Sequence, residues 1–160
     1  MSKTVSVDFG GRWFWAYDVS VGILLLEAIQ VATETPPGQR PPNVDAVLAD
    51  LRTQVQVGAS FAFPLDPDEW DSRQRAFARA IIAEAGRRLR GYRTITSTEA
   101  AERYVIDGEP YFVRGHKRID CEVVADLAEA IEALIEDRLP PVPVPGRHWF
   151  FGVPDGPRTL

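Results

Sequence analysis

The most distinctive cluster of aromatic residues lies at positions 13–17 of the chain, directly before Asp18. Trp13, Trp15 and Tyr17 are spaced two apart, so a strand would place all three on one face. Aromatic walls with few polar groups are common in ligand pockets, and Asp18 would stand at the mouth of such a pocket. The interpretation that the sequence favours is that the aromatic residues pack in the core and that Asp18 caps a helix.

Catalytic chemistry has few residues to draw on. The chain has two histidines and one cysteine, Cys121. Histidine titrates near neutrality, which makes His116 the acid–base candidate, with Asp18 as its polar neighbour. Cys121 stands at a predicted helix N-terminus, which favours a thiolate, whereas the charge of Asp120 beside it opposes one. We therefore predict that the chain has no catalytic residue. If it is an enzyme instead, the candidate catalytic residues are His116, Asp18 and Cys121.

A basic loop, VRGHKRID at residues 113–120, precedes the last predicted helix. Helix N-termini attract anions, and arginine binds carboxylates and phosphates in a bidentate manner. Arg114 therefore joins the candidate ligand-binding residues Trp13, Trp15 and Tyr17. The favoured interpretation is a solvated loop, because Asp120 already occupies the cap position.

No metal or other cofactor is predicted. The residues His116, Asp120 and Cys121 do not match the ligand spacing of a zinc site. The sequence also contains none of the motifs G-x-S-x-G, G-x-G-x-x-G or the P-loop, so the common hydrolase and nucleotide-binding signatures are missing.

The last predicted helix, residues 121–137, presents an acidic face with only Arg138 nearby to oppose it. Most such faces are simply solvated, but a basic protein would relieve the repulsion among these carboxylates. An aromatic side chain beside a charged surface is a typical interface anchor. The predicted partner-binding residues are Glu122, Asp126, Glu129, Glu132 and Trp149.

The bulk composition excludes several classes of protein. A net charge of −5 argues against general nucleic-acid binding, which needs many cationic contacts with phosphate. A single cysteine allows no intramolecular disulfide and is typical of the cytoplasm. Residues 13–32 are long enough to span a bilayer, but Asp18 and Glu27 would lie inside it, so no membrane association is predicted.

The pattern of residues predicts elements that would position these groups. Alternation around Gly10 and Gly11 predicts a β-hairpin, followed by a helix at about 19–33 whose polar residues form a narrow stripe that includes Glu27. Further helices are predicted after Asn43 and after Asp66, and residues 52–58 fit either helix or strand.

The second half of the chain continues with a strand at 92–97 and a helical turn at 97–103. A second hairpin turns at Asp107 and Gly108, before the last helix. From Pro140 onward the chain is rich in proline and aromatic residues, and we expect this segment to pack back on the domain.

The sequence thus predicts a single-domain α+β fold with about four helices and a small antiparallel sheet built from two β-hairpins. Residues 1–139 form the compact domain, and residues 140–160 form the C-terminal segment. The favoured function is a small acidic cytoplasmic binding protein, such as an inhibitor or immunity-type protein that neutralises a basic partner. The alternative is an enzyme or ligand-binding protein with the aromatic pocket described above, and a homo-oligomer remains open.

Overall fold

A computed structural model describes residues 4–57, 70–111, 117–140 and, for the backbone alone, 149–152. The first element is the predicted hairpin, in which β1 (Thr4–Phe9) pairs antiparallel with β2 (Arg12–Tyr17). Gly10 and Gly11 form the turn with φ angles of 64° and 73°, a region that favours glycine. The strand β7 (Trp149–Gly152) pairs with the other edge of β2, which gives the strand order β1-β2-β7.

The burial of the residues on the two faces of β2 differs from the favoured prediction. Phe14 and Ala16 are the buried residues of this strand, whereas Trp13 and Trp15 are half-buried and Tyr17 is 36% exposed. The expectation that Trp13, Trp15 and Tyr17 pack in the core is therefore wrong. Alternation shows which residues share a face, but it does not show which face points inward.

The helix α1 (Asp18–Glu34) runs through the core and is buried on nearly every side. Asp18 is the first helical residue rather than the cap, and its carboxylate accepts a hydrogen bond from the amide of Val19 at 2.8 Å. Burial on all sides explains why α1 is so apolar in a globular fold. In the part of the chain that the structure describes, no helix is long and apolar enough to cross a membrane.

After a short 3₁₀ turn at Pro37–Gln39, α2 (Val44–Val57) remains helical to its end. The region at 52–58 that fits both patterns is thus helix as far as Val57, and residue 58 lies outside the described ranges. Asn43, predicted as the cap, precedes this helix with a positive φ of 63°.

The long helix α3 (Ser72–Tyr92) begins later than the sequence predicts. Its cap is Asp71, which forms a capping box with Gln74, whereas the predicted cap, Asp66, lies outside the described residues. The pattern of an Asp followed three residues later by Glu or Gln occurs twice in this region, so the sequence offers two similar caps. The helix ends at Tyr92, and the C-cap residue Arg93 has a φ of 59°.

Short elements connect α3 to the last helix. They are β3 (Thr94–Thr96), α4 (Ser97–Arg103), β4 (Val105–Ile106), β5 (Glu109–Pro110) and β6 (Arg118–Asp120). β4 and β5 form the predicted hairpin around Asp107 and Gly108. β6, which the sequence analysis placed in a loop, pairs with β3.

The last helix, α5 (Cys121–Ile135), begins where predicted, and the carboxylate of Asp120 accepts a hydrogen bond from the amide of Glu122 at 3.0 Å. α5 packs closely against α3, because a Cβ at Gly86 would lie only 2.7 Å from the Cβ of Ala128. The predicted fold class is confirmed: across the described ranges, five α-helices and small antiparallel sheets form one compact α+β domain. The two hairpins lie in separate sheets rather than in one.

Candidate functional site

The most unusual side chain among the described residues is Glu27, which is fully buried in the middle of α1. A buried carboxylate is expensive unless charged and polar groups compensate it. The hydroxyl of Tyr104 donates to Glu27 Oε2 at 2.8 Å, and Arg103 Nε lies 3.2 Å from the same oxygen. We call Glu27, Arg103, Tyr104 and Arg88 the Glu27 cluster.

Arg103 is held on its other side by an aromatic ring. Its guanidinium carbon lies 4.1 Å from the ring centroid of Tyr92, and a terminal guanidinium nitrogen donates a hydrogen bond to the hydroxyl of Tyr92. Cation–π contact and a carboxylate together restrict the guanidinium to one place. The Arg103 side chain is nevertheless 32% exposed, so the cluster reaches solvent through this residue.

Arg88 connects the buried carboxylate to the protein surface. Its guanidinium lies 3.8 Å from Glu27, 2.6 Å from Glu34 and 2.9 Å from Glu84. Hydrogen bonds from Arg87 and Arg88 lower the pKa of Glu84 to about 2. The cluster is therefore one end of a longer network of charges along α1 and α3.

Burial also determines the protonation of the tyrosine in the cluster. Burial, followed by the negative charge of Glu27, raises the pKa of Tyr104 above its usual range. The hydroxyl therefore keeps its proton and acts as a permanent donor to Glu27. Tyr104 is 3% exposed, so water does not replace it in this role.

Two cavities meet the surface of the cluster at Arg103. The first, the α1–α2 cavity, has a volume of about 230 Å³, and its lining residues are Leu26, Ile29, Gln30, Thr33, Arg52, Arg103, Tyr104, Val105, Ile106 and Asp107. The second, the α3–α4 cavity, has a volume of about 470 Å³ and is lined by Tyr92, Thr94, Ile95, Glu99, Glu102 and Arg103. Arg103 is the residue that the two cavities share.

A different cluster involves the acidic residues predicted to bind a partner. Arg90 on α3 lies 2.6 Å from Glu129, 3.3 Å from Glu122 and 3.7 Å from Asp126. The expectation that only Arg138 opposes this face is therefore wrong, because α3 supplies a cation that sequence distance conceals. We call these four residues the Arg90 cluster.

Glu132, the fourth predicted contact on α5, lies in a different environment. It is half-buried, and burial followed by the charge of Glu136 raises its pKa. Glu136 itself pairs with Arg79 and Arg138. Trp149, the predicted anchor, lies in β7, where the description covers only the backbone.

The alternative catalytic residues do not come together in the described part of the chain. Cys121 is completely buried, and burial followed by the charge of Asp120 raises its pKa to about 11, which favours the neutral thiol. Asp18 engages the first turn of α1. His116 and Arg114 fall outside the described residues.

The residues of the predicted aromatic pocket line neither of the two cavities described above. Trp13, Trp15 and Tyr17 share one face of β2, but none of them lines the α1–α2 or the α3–α4 cavity. Within the described ranges, no three acidic, histidine or cysteine side chains are grouped closely enough to hold a metal ion.

Sequence reasoning missed Arg103, Tyr104 and Arg88 entirely. A signal for Glu27 was present, since a carboxylate in the middle of a mostly apolar helix needs compensation wherever it is buried. Its partners were not identifiable, because Arg103 is 76 residues away along the chain and lies in a helix of seven residues.

The fold and the cluster define a single-domain α+β protein with a buried carboxylate that is neutralised from a short helix. No known protein family matches the sequence, and neither curated proteins nor solved structures give a match.

Proposed function

We propose that this chain is a small-molecule-binding protein and that its site is the α1–α2 cavity. One observation carries the proposal: Arg103, whose guanidinium Glu27 and Tyr92 hold in place, is one of the residues that line the cavity. A donor fixed before a ligand arrives loses little conformational freedom on binding. This keeps the class of the alternative function that the sequence suggests and moves its site away from Trp13, Trp15 and Tyr17.

The rest of the cavity has the mixed character of ligand sites. Leu26 and Ile29 provide buried apolar surface, whereas Gln30 and Thr33 bring polar groups to the same space. Ligand sites combine an apolar wall with a few polar groups that orient the bound molecule. A cavity of about 150 Å³ accommodates benzene, so the 230 Å³ here are sufficient for a molecule somewhat larger.

A fragment screen by ¹H–¹⁵N NMR on the full chain tests this function. We expect at least one fragment to shift the amide signals of Thr33 and Ile106 saturably. Val105→Trp should abolish these shifts, because Val105 is 54% exposed and lines the cavity, so a larger ring there fills the space. Val105→Thr, which preserves the shape of the side chain, is the matched control and should retain binding.

Two results would contradict the function. One is a screen in which no fragment perturbs the lining residues. The other is a set of fragments whose binding Val105→Trp leaves unchanged while the variant keeps a wild-type spectrum elsewhere.

A second candidate function is the binding of a basic protein through α5, as an inhibitor or immunity-type protein would bind. It is favoured by the exposure of Glu122 and Glu129, whose side chains are 62% and 50% exposed although both pair with Arg90. A partner would have to displace Arg90 or add to it. Binding that weakens steeply with salt, and that Glu122→Lys abolishes, would support this candidate. We place both candidate functions in the cytoplasm because the chain has one cysteine.

A further inference from the structure

We infer that the α1–α2 cavity takes a small monocarboxylate with a compact apolar body. The inference rests on the proposed function and specifies the chemical class of the ligand. It begins from the positive charge in the cavity wall, which comes from Arg52 on α2 and Arg103 on α4.

The two arginines differ in what already neutralises them. Arg103 has Glu27 as its counter-ion. Arg52, by contrast, has no carboxylate within 4.0 Å among the residues that the structure describes, although it is only partly exposed. A cation that faces a cavity without a counter-ion favours an anionic ligand, and a guanidinium binds carboxylates in a bidentate manner.

A negative group also lines the cavity, and it has a different partner. Asp107 is exposed in the turn between β4 and β5, and its carboxylate accepts a hydrogen bond from the side-chain amide of Gln56 at 2.6 Å. The amide of Gln56 is neutral, so Asp107 keeps its charge, but Asp107 is exposed to water whereas Arg52 is partly buried and less well solvated. The ligand predicted from this arrangement is an anion rather than a cation.

The apolar part of the ligand follows from the α1 side of the cavity. Leu26 and Ile29 are 6% and 7% exposed, and both line the cavity together with the two arginines. A wall of this kind favours a ring or a short alkyl chain over a fully polar body. Benzoate has this combination of a carboxylate and a compact ring, and it is the probe that we choose.

The experiment compares benzoate, benzyl alcohol and benzylamine by ¹H–¹⁵N NMR titration of the full chain. These probes share the ring and differ in charge. We expect benzoate to bind about tenfold more tightly than the alcohol, which is the effect of one charge-assisted hydrogen bond, and benzylamine to bind most weakly. The shifts should concentrate on the residues that line the cavity.

Variants test the role of Arg52. Arg52→Gln should weaken benzoate binding about tenfold and leave benzyl alcohol unchanged, because it removes the cation and keeps a polar side chain. Arg118→Gln makes the same change of charge on the exposed strand β6 and should leave both unchanged. Arg103 is unsuitable for this test, because its loss would leave Glu27 buried without its nearest cation.

The outcomes separate this inference from the function on which it rests. Equal binding of the three probes, tighter binding of benzylamine, or no effect of Arg52→Gln would overturn the inference about ligand class. No cavity shifts with any probe would also overturn it. The proposed function fails if the broader fragment screen finds nothing in the cavity, or if Val105→Trp leaves the binding of the fragments unchanged.

Discussion

The Glu27 cluster and the Arg90 cluster bring together the same kinds of residue in opposite surroundings. In the first, a fully buried carboxylate accepts a hydrogen bond from a tyrosine and pairs with two arginines. In the second, a single arginine that is 43% exposed faces three carboxylates at the surface of α3 and α5. One cluster has a surplus of positive groups around a negative centre, and the other has the reverse.

The number of ion pairs in a cluster therefore does not predict how much they contribute to stability. Exposed pairs contribute little to stability because water and salt screen them. Removal of one member of a buried pair is costly, since the remaining charge stays in a poorly solvated place. The Glu27 cluster is therefore the better candidate for a site, because its geometry is fixed before any ligand binds.

The largest expected effect is at the buried centre. Glu27→Ala should lower the free energy of unfolding by about 3–5 kcal/mol, because Arg103 and the hydroxyl of Tyr104 lose their acceptor. Glu129→Ala in the Arg90 cluster is the matched control and should cost less than about 1 kcal/mol. Urea unfolding of both variants measures the contrast, and equal losses of free energy would show that burial does not distinguish the two clusters.

A smaller effect is expected from Arg90→Ala. This substitution removes all three of the pairs that Arg90 makes with α5, yet exposure limits the loss to about 1 kcal/mol at low salt. The difference from wild type should shrink as sodium chloride is raised toward 1 M, because the Debye length falls to about 3 Å. A loss of several kcal/mol that salt does not change would show that this surface cluster is energetically equivalent to a buried one.

The smallest expected effect is on the pH dependence of stability, through Glu84 beside the Glu27 cluster. Arg87 and Arg88 hold the pKa of Glu84 at about 2, below its unfolded value. The stability that this carboxylate contributes is therefore present above about pH 4.5 and is lost as the pH falls toward 2. Glu84→Gln should flatten the stability–pH curve between about pH 4.5 and pH 2. Near pH 7 the slope of the curve should be the same as in the wild type, as measured by thermal unfolding. An unaltered acid limb would contradict this assignment.

Much of the fold could be predicted because it depends on local signals. Each of these signals determines the structure of only a few neighbouring residues. They are the turn glycines after β1 and β4, the apolar residues of α1 and the cap at Asp120. The strand pairings of β6 and β7 could not be predicted, since each joins segments that are distant in the sequence. The start of α3 was misplaced because Asp66 and Asp71 are equally plausible caps by type.

The candidate site was much less predictable than the fold. Glu27 stood out only as a polar position in the stripe of α1, and the sequence did not distinguish a solvated glutamate from a buried one. The position of Arg90 opposite α5 depends on how the two helices α3 and α5 cross. In both cases the determining fact is a contact between elements, which composition and periodicity do not encode.

The most direct test of the central claim is the NMR signal of the arginine Nε–Hε groups during a benzoate titration of the full chain. If the α1–α2 cavity is the ligand site and the Arg90 cluster is not, the signals of Arg52 and Arg103 will shift saturably while that of Arg90 stays in place. Shifts of equal size at Arg90 and Arg103, or no shift at Arg52 and Arg103 up to saturating benzoate, would contradict the account.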